Sequence, residues 1–317
     1  MGFYQYLRLM RPAQWYKNAL VFLAIIFAEV EPYPAIPKVL NWIHYPPLIL
    51  GFLAFCAVSS ATYILNDIQD LEADAAHPEK RKRPLPSGTA SRKNAVILAI
   101  ILLVCGFSLA IFLNALFVMA IIFYIITTQL YNAKLRKWAV VDVVTIAVGF
   151  IIRAISGAFL INEPFTSWLV IGVFFFALIL GFGKRKNELQ YLGEDAAIHK
   201  PVFNEYTEGI LDQGITMSAT WFVFFYTLYC FNKYGAVMDQ QPIMLTVPIV
   251  AGIVLRYVYL IQSGSPVARK PHLAFKDYGI LIGGIIFLVT LLWTLFFWQP
   301  VLDAFWAVVN FLSSLFP

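Results

Sequence analysis

The run Asn66-Asp67-Ile68-Gln69-Asp70-Leu71-Glu72-Ala73-Asp74 crowds carboxylates into a short stretch. Phased on a helix at about 100° per residue, Asp67, Asp70 and Asp74 fall within an arc of about 60°, while Glu72 points the other way. Three carboxylates on one face repel one another unless a cation lies between them. Hard oxygen ligands suit Mg2+, which commonly bridges from carboxylates to substrate phosphates. Asn66, Asp67, Asp70 and Asp74 are therefore the expected metal ligands, and the three aspartates the candidate catalytic groups. The plain alternative is a solvated acidic helix end.

Four further groups of residues carry possible chemistry. His77-Pro78-Glu79-Lys80-Arg81-Lys82-Arg83-Pro84 places four cations directly after the acids. Prolines stiffen this stretch, so Lys80, Arg81 and Arg83 suit a phosphate clamp; a topology anchor would look the same. Asp142, Thr145, Gly149, Arg153 and Ser156 recur at helical spacing inside an apolar stretch, preceded by Tyr131 and Lys134. Intramembrane Asp and Arg face a cavity or a partner, so Asp142 and Arg153 are either substrate ligands or members of structural ion pairs between spans. Gly183-Lys184-Arg185-Lys186-Asn187-Glu188 follows a later apolar run. Here Lys184, Arg185 and Glu188 are candidate anion-site residues, or an ordinary basic flank with an i,i+4 pair. In Arg11-Pro12-Ala13-Gln14-Trp15-Tyr16-Lys17-Asn18, the aromatics suit a membrane interface, and Gln14, Lys17 and Asn18 suit a polar site. Arg256 has a simpler reading, pairing with an acid or snorkelling. There is no Walker loop, GxSxG elbow or HExxH, and no strand precedes the glycines, which excludes a dinucleotide-binding fold.

The elements that position these groups are membrane spans. The 317 residues are 60% hydrophobic and 13% charged, against about 25% charged in soluble domains. Apolar runs of about 17–22 residues recur, each long enough for a hydrocarbon core of about 30 Å. They fall near 14–30, 46–66, 94–113, 115–131, 139–161, 165–183, 214–231, 242–262 and 278–298, in one domain over 1–317, with 300–316 expected to be an interfacial tail. The first run lacks a small-residue cleavage site and is followed by Glu29, Glu31 and several prolines, unlike a cleaved signal. Of the 23 Lys and Arg, 19 fall on one side of this pattern. The positive-inside rule puts that side, with the N-terminus and the polar site, in the cytoplasm of a multi-pass cell-membrane protein; nine crossings leave the C-terminus outside. The net charge of +5 is thus a topology signal, and no nucleic-acid partner is expected. Cys56, Cys105 and Cys230 lie singly in apolar runs, which suggests neither disulfides nor a thiolate metal site.

NDxxDxxxD closing a second span resembles the first aspartate-rich motif of the UbiA superfamily of intramembrane prenyltransferases. That resemblance implies an all-α, polytopic fold of about nine transmembrane helices around a central cavity. RPxQWxKN, NDxxDxEADxxHPxKRxRPxxxG, VVD…GFxIRAxxGA and GKRxxEL are together similar to one branch of that superfamily, over roughly residues 8–280. Members of the branch join a polyprenyl phosphate to 5-phosphoribosyl diphosphate. The resemblance implies a Mg2+-dependent, inverting transfer of phosphoribose to the lipid, with release of diphosphate. Other members carry a second aspartate-rich motif near the end of span six, for a second magnesium. Here Lys184 to Glu188 offer three bases and one acid, which suits an additional phosphate instead. A UbiA-type transfer of a prenyl chain to an aromatic acceptor, and a non-enzymatic transporter, are the alternatives. Prenyl chain length and oligomeric state, including a homo-oligomer, stay open.

Overall fold

The computed structural model describes residues 3–28, 38–76, 80–193, 196–235, 242–269 and 271–315. Glu29, Glu31 and the prolines after them, His77 to Glu79 of the basic motif, Glu194, Asp195 and Lys270 lie outside the described residues.

In hydrocarbon, each backbone N–H and C=O must be paired within the protein, so long apolar runs fold as helices. They do so here: α1 (Phe3–Met10), α2 (Leu23–Ile26), α3 (Tyr45–Gln69), α4 (Leu71–Ala76), α5 (Arg92–Leu113), α6 (Ala115–Ala133) and α7 (Val141–Ile161). They continue as α8 (Ser167–Leu192), α9 (Ala196–His199), α10 (Glu208–Gly235), α11 (Thr246–Gln262), α12 (Pro266–Arg269), α13 (Tyr278–Phe296) and α14 (Trp298–Leu315). Among the described residues there is no strand. Eight helical segments, built on α3, α5, α6, α7, α8, α10, α11 and α13, are long and apolar enough to cross a membrane. Neighbours in sequence pack together: α3 on α5, α6 on α7, α7 on α8, α8 on α10, and α11 on α13. Outward faces such as Ile100, Val104, Phe112 and Phe123 stay exposed, as lipid-facing surfaces are.

The first span departs from the expected α-helix. Pro12–Phe22 is an 11-residue 3-10 helix that passes into the single turn of α2. At about 2.0 and 1.5 Å per residue, the two pieces reach about 28 Å, close to a hydrocarbon thickness. Three residues per turn stack Trp15, Asn18 and Val21 on one side. Trp15 Nε1 donates to Ser60 Oγ at 3.0 Å, Asn18 Nδ2 donates to Ser59 Oγ at 3.2 Å, and Val21 is buried. The span leans on both α3 and α7. Against α7 the fit is backbone to side chain: a Cβ on Gly157 would sit 1.9 Å from the carbonyl oxygen of Val21.

The tail expected over 300–316 is helical as α14. Trp298 meets Trp293 of α13 edge-on at 5.1 Å, and Val301, Phe305, Val308 and Leu312 are exposed along α14.

Candidate active site

The acidic motif sits where α3 ends, and its geometry differs from one continuous helix. The chain leaves α3 at Gln69; Asp70 has φ −93° and ψ 14°, and α4 restarts at Leu71. This break corrects the arc computed for an unbroken helix. Asp67 and Asp74 still converge, both nearly fully buried, and both accept from Nη1 of Arg83. Arg11 also donates to Asp67, and Lys80 Nζ lies 3.2 Å from Asp74. Asp70 turns aside, and Arg136 donates to both its oxygens, at 2.6 and 2.8 Å. Burial would raise the Asp70 carboxyl, but the hydrogen bonds and charge of Arg136, with Lys80 and Arg83, outweigh it and hold the group below its ordinary value. Glu72 is exposed, on the far side. Arg81 and Lys134 are exposed and join none of these pairs. Gln14 is half-buried in the first turn of the 3-10 helix.

A second ionic cluster joins α7 to the end of α8. Arg185, almost fully buried, donates from Nε to Asp142 at 2.6 Å, from Nη1 to Glu188 at 2.9 Å and from Nη2 to the Tyr131 hydroxyl at 3.0 Å. Glu188 also accepts from Lys200, while Lys184 stays 4.0 Å from it with its side chain 44% exposed. Asp142 is thus held in an ion pair between spans, with Arg185 of α8. Burial, with repulsion from Arg185, pushes the Lys200 ammonium down to about 7 even beside Glu188.

Asp142 is aimed by a strained turn. Val140 has φ 66° and ψ −47°, and the N–H of Val141 donates to the carbonyl of Ala139 at 2.7 Å. This is a γ-turn with positive φ at a β-branched residue, which costs about 1–3 kcal/mol. The loop before α10 holds it: Ala139 N–H donates to Glu205 at 3.0 Å, and Val140 N–H donates to the Tyr206 hydroxyl at 2.7 Å. That hydroxyl donates in turn to Asp142 at 2.6 Å. Burial and the Asp142 carboxylate push Tyr206 above its ordinary pKa, so it remains a donor.

Deeper in the membrane, Arg153 donates to Asn18 Oδ1 at 2.8 Å, to the carbonyl of Gly149 at 2.7 Å and to the Tyr124 hydroxyl at 2.8 Å. Arg256 forms a two-pronged pair with Asp277, at 3.1 and 2.8 Å.

The chain that carries this face has relatives among known proteins. The model of the UbiA prenyltransferase family matches residues 35–277. The chain belongs to that family. Decaprenyl-phosphate phosphoribosyltransferase of Mycolicibacterium smegmatis is 31% identical over 284 residues, 86% of either chain. The Corynebacterium glutamicum protein of that name is 28% identical over 263 residues, covering 82% of this chain and 77% of its own. Among solved structures, a UbiA homolog from Archaeoglobus fulgidus bound to GPP and Mg2+ has a TM-score of 0.66 at 18% identity. It covers 92% of this chain and 99% of its own, and the likeness carries the fold alone.

The UbiA-like helix end can be tested as a metal site on its own atoms. Among the described residues, no three acidic, His or Cys side chains converge closely enough to cage an ion. Yet Asp67 and Asp74 face each other across one guanidinium nitrogen, and the Oδ1 of Asn66, next to Asp67 in sequence, is buried without a hydrogen-bond partner. Two carboxylates and an orphaned amide oxygen fit Mg2+, which completes its shell with water and substrate phosphate. Sequence reasoning overlooked Tyr206, Tyr124 and the pairing of Lys200. They come from elements far along the chain, and only the fold brings them to Asp142, Arg153 and Glu188.

Proposed function

We propose that the protein transfers 5-phosphoribose from phosphoribosyl diphosphate to a polyprenyl phosphate, releasing diphosphate, on the cytoplasmic side of the cell membrane. The observation that carries this reading is the end of α8. Where a second metal site would need paired acids, it presents Lys184 and Arg185, while Lys186 is turned to Asp212 of α10 and Gln262 of α11, and its one acid, Glu188, is shared between Arg185 and Lys200. Such a cluster suits a phosphate better than a second metal ion. A sugar bearing a diphosphate on C1 and a phosphate on C5 needs such a site apart from any metal.

Asp67 and Asp74, with Asn66, would hold Mg2+, which supplies charge neutralisation for the departing diphosphate. Arg83, Lys80 and Arg11 border the same carboxylates and clasp the diphosphate oxygens. Lys184, the least committed cation of the second cluster, takes the 5-phosphate, and Arg185 stays oriented by Asp142, Glu188 and Tyr131. A lipid phosphate oxygen attacks C1 opposite the diphosphate. The C1–O bond to diphosphate breaks, its electron pair leaves with diphosphate, and the anomeric centre inverts. The nucleophile is already anionic near pH 7, so no side chain need remove a proton.

The test is a nanodisc assay with labelled phosphoribosyl diphosphate, a polyprenyl phosphate and Mg2+. A labelled lipid of the mass of polyprenyl phosphoribosyl phosphate is expected. Folded protein that makes none would refute the reading, and transfer of prenyl from a prenyl diphosphate to an aromatic acid would replace it.

A further inference from the structure

Four arginines of the cytoplasmic face, Arg11, Arg83, Arg136 and Arg185, each lie against a carboxylate. Arg153 does not. It is 4% exposed and its three hydrogen-bond acceptors are an amide oxygen, a backbone carbonyl and a phenol, all neutral. Its guanidinium also lies over the Tyr124 ring, 4.4 Å from the centroid. No carboxylate lies within 4.0 Å of it among the described residues. Lys17, on the neighbouring span, is similar. Its ammonium lies 5.9 Å from the centroid of the Tyr16 ring, has no carboxylate within ion-pair distance among the described residues, and lies within electrostatic reach of Arg153 and Arg11. Two like charges, half-buried or buried at membrane depth and without a counter-charge, are costly. An anion between them removes that cost.

We infer that Lys17 and Arg153 form the binding site for the phosphate headgroup of the lipid substrate, with Asn18 positioning Arg153. This rests on the proposed transfer to a polyprenyl phosphate. Two cations match a phosphate monoester, which carries about −1.5 to −2 near neutral pH. Asn18 fixes the guanidinium by accepting from Arg153 Nε while its own amide donates to Ser59 and to Cys56 Sγ. Depth assigns the ligand to the lipid. Arg153 lies about 16 Å along α7 from Asp142, and Ser59 about 12 Å along α3 from Asp67. A headgroup whose chain stays in hydrocarbon reaches that level from within the membrane, while the water-soluble sugar diphosphate meets the carboxylate face above it. The interval of about 12 Å leaves room for a ribose ring and the attacking oxygen at about 3–3.5 Å from its anomeric carbon.

The probes are farnesyl phosphate, farnesol, inorganic phosphate and phosphoribosyl diphosphate, with binding measured separately on the full chain in nanodiscs. Wild type is expected to bind farnesyl phosphate at least about tenfold more tightly than either farnesol or inorganic phosphate. Lys17→Gln and Arg153→Gln should each weaken farnesyl phosphate by about tenfold or more, and Arg153→Lys by less. Affinity for phosphoribosyl diphosphate should stay within about twofold. If Arg153→Gln does not fold, Lys17→Gln and Arg153→Lys decide. Folded variants that keep wild-type affinity for farnesyl phosphate overturn the site, even if transfer activity is real; so does inorganic phosphate binding as well as the lipid. Loss of farnesyl phosphate affinity in the variants of a protein that transfers no phosphoribose upholds the site and refutes the proposed reaction.

Discussion

Asp67, Asp70 and Glu72 lie within six residues of sequence but face three different surroundings: a buried pair with Arg83, a surface pair with Arg136, and solvent. Asp67→Asn and Asp74→Asn are each expected to lower kcat/KM by about 10² or more, the usual scale for a lost metal-site carboxylate. Glu72→Gln should stay within about twofold. Steady-state assays across a Mg2+ titration check this, and a Glu72→Gln defect as large as that of Asp67→Asn, in folded protein, would reverse the assignment. Lys200 gives a pH signature. Its ammonium ionises near 7, so it is charged below that value and loses its proton as pH rises through it. Glu188 then leans on Arg185 and Lys184 alone. The apparent affinity for phosphoribosyl diphosphate should therefore fall between about pH 6 and 8.5, and Lys200→Arg should flatten that limb. Identical profiles for the two proteins would remove Lys200 from the site. The aspartates were legible in the sequence because they are close together and follow an apolar run. Lys200 and Tyr206 were not, since each works through a partner contributed by another element.

Helices that pack through small residues tolerate little added volume. Gly157 of α7 meets the backbone of the first span, with no flexible side chain to yield to a new methyl group. Gly157→Ala should therefore lower stability by about 1–3 kcal/mol or more, seen as a lower melting temperature in detergent, and should shift the span that carries Asn18. An unchanged melting temperature would mean that this contact is looser than the structure has it. Eight of the nine expected spans were legible from length and hydrophobicity, because lipid leaves a long apolar segment almost no other choice. Two departures were not. The 3-10 segment Pro12–Phe22 packs against both α3 and α7, and at the break after Gln69 Asp70 pairs with Arg136 while Asp74 pairs with Arg83, long-range contacts that local composition does not specify.

Across the whole molecule, charge is sorted to one end, and that asymmetry sets orientation. In a Cys105→Ser background, an impermeant maleimide should label Ser87→Cys only from the cytoplasmic side and Trp42→Cys, 76% exposed, only from the opposite side. The reverse pattern would invert the protein and separate its site from a cytoplasmic sugar diphosphate. The 3-10 span has a consequence at this scale as well. It carries Arg11 at its upper end, bound to Asp67, and Asn18 seven residues on, bound to Arg153. At about 2.0 Å per residue these lie about 14 Å apart, but α-helical winding would bring them to about 10.5 Å and turn Asn18 off its side. The segment thus works as a gauge: the pitch of one short helix fixes how far below the carboxylates the deep guanidinium is held. A single-residue deletion between Pro12 and Asn18 would shorten the gauge by about 2 Å and rotate its lower mark by about 120°.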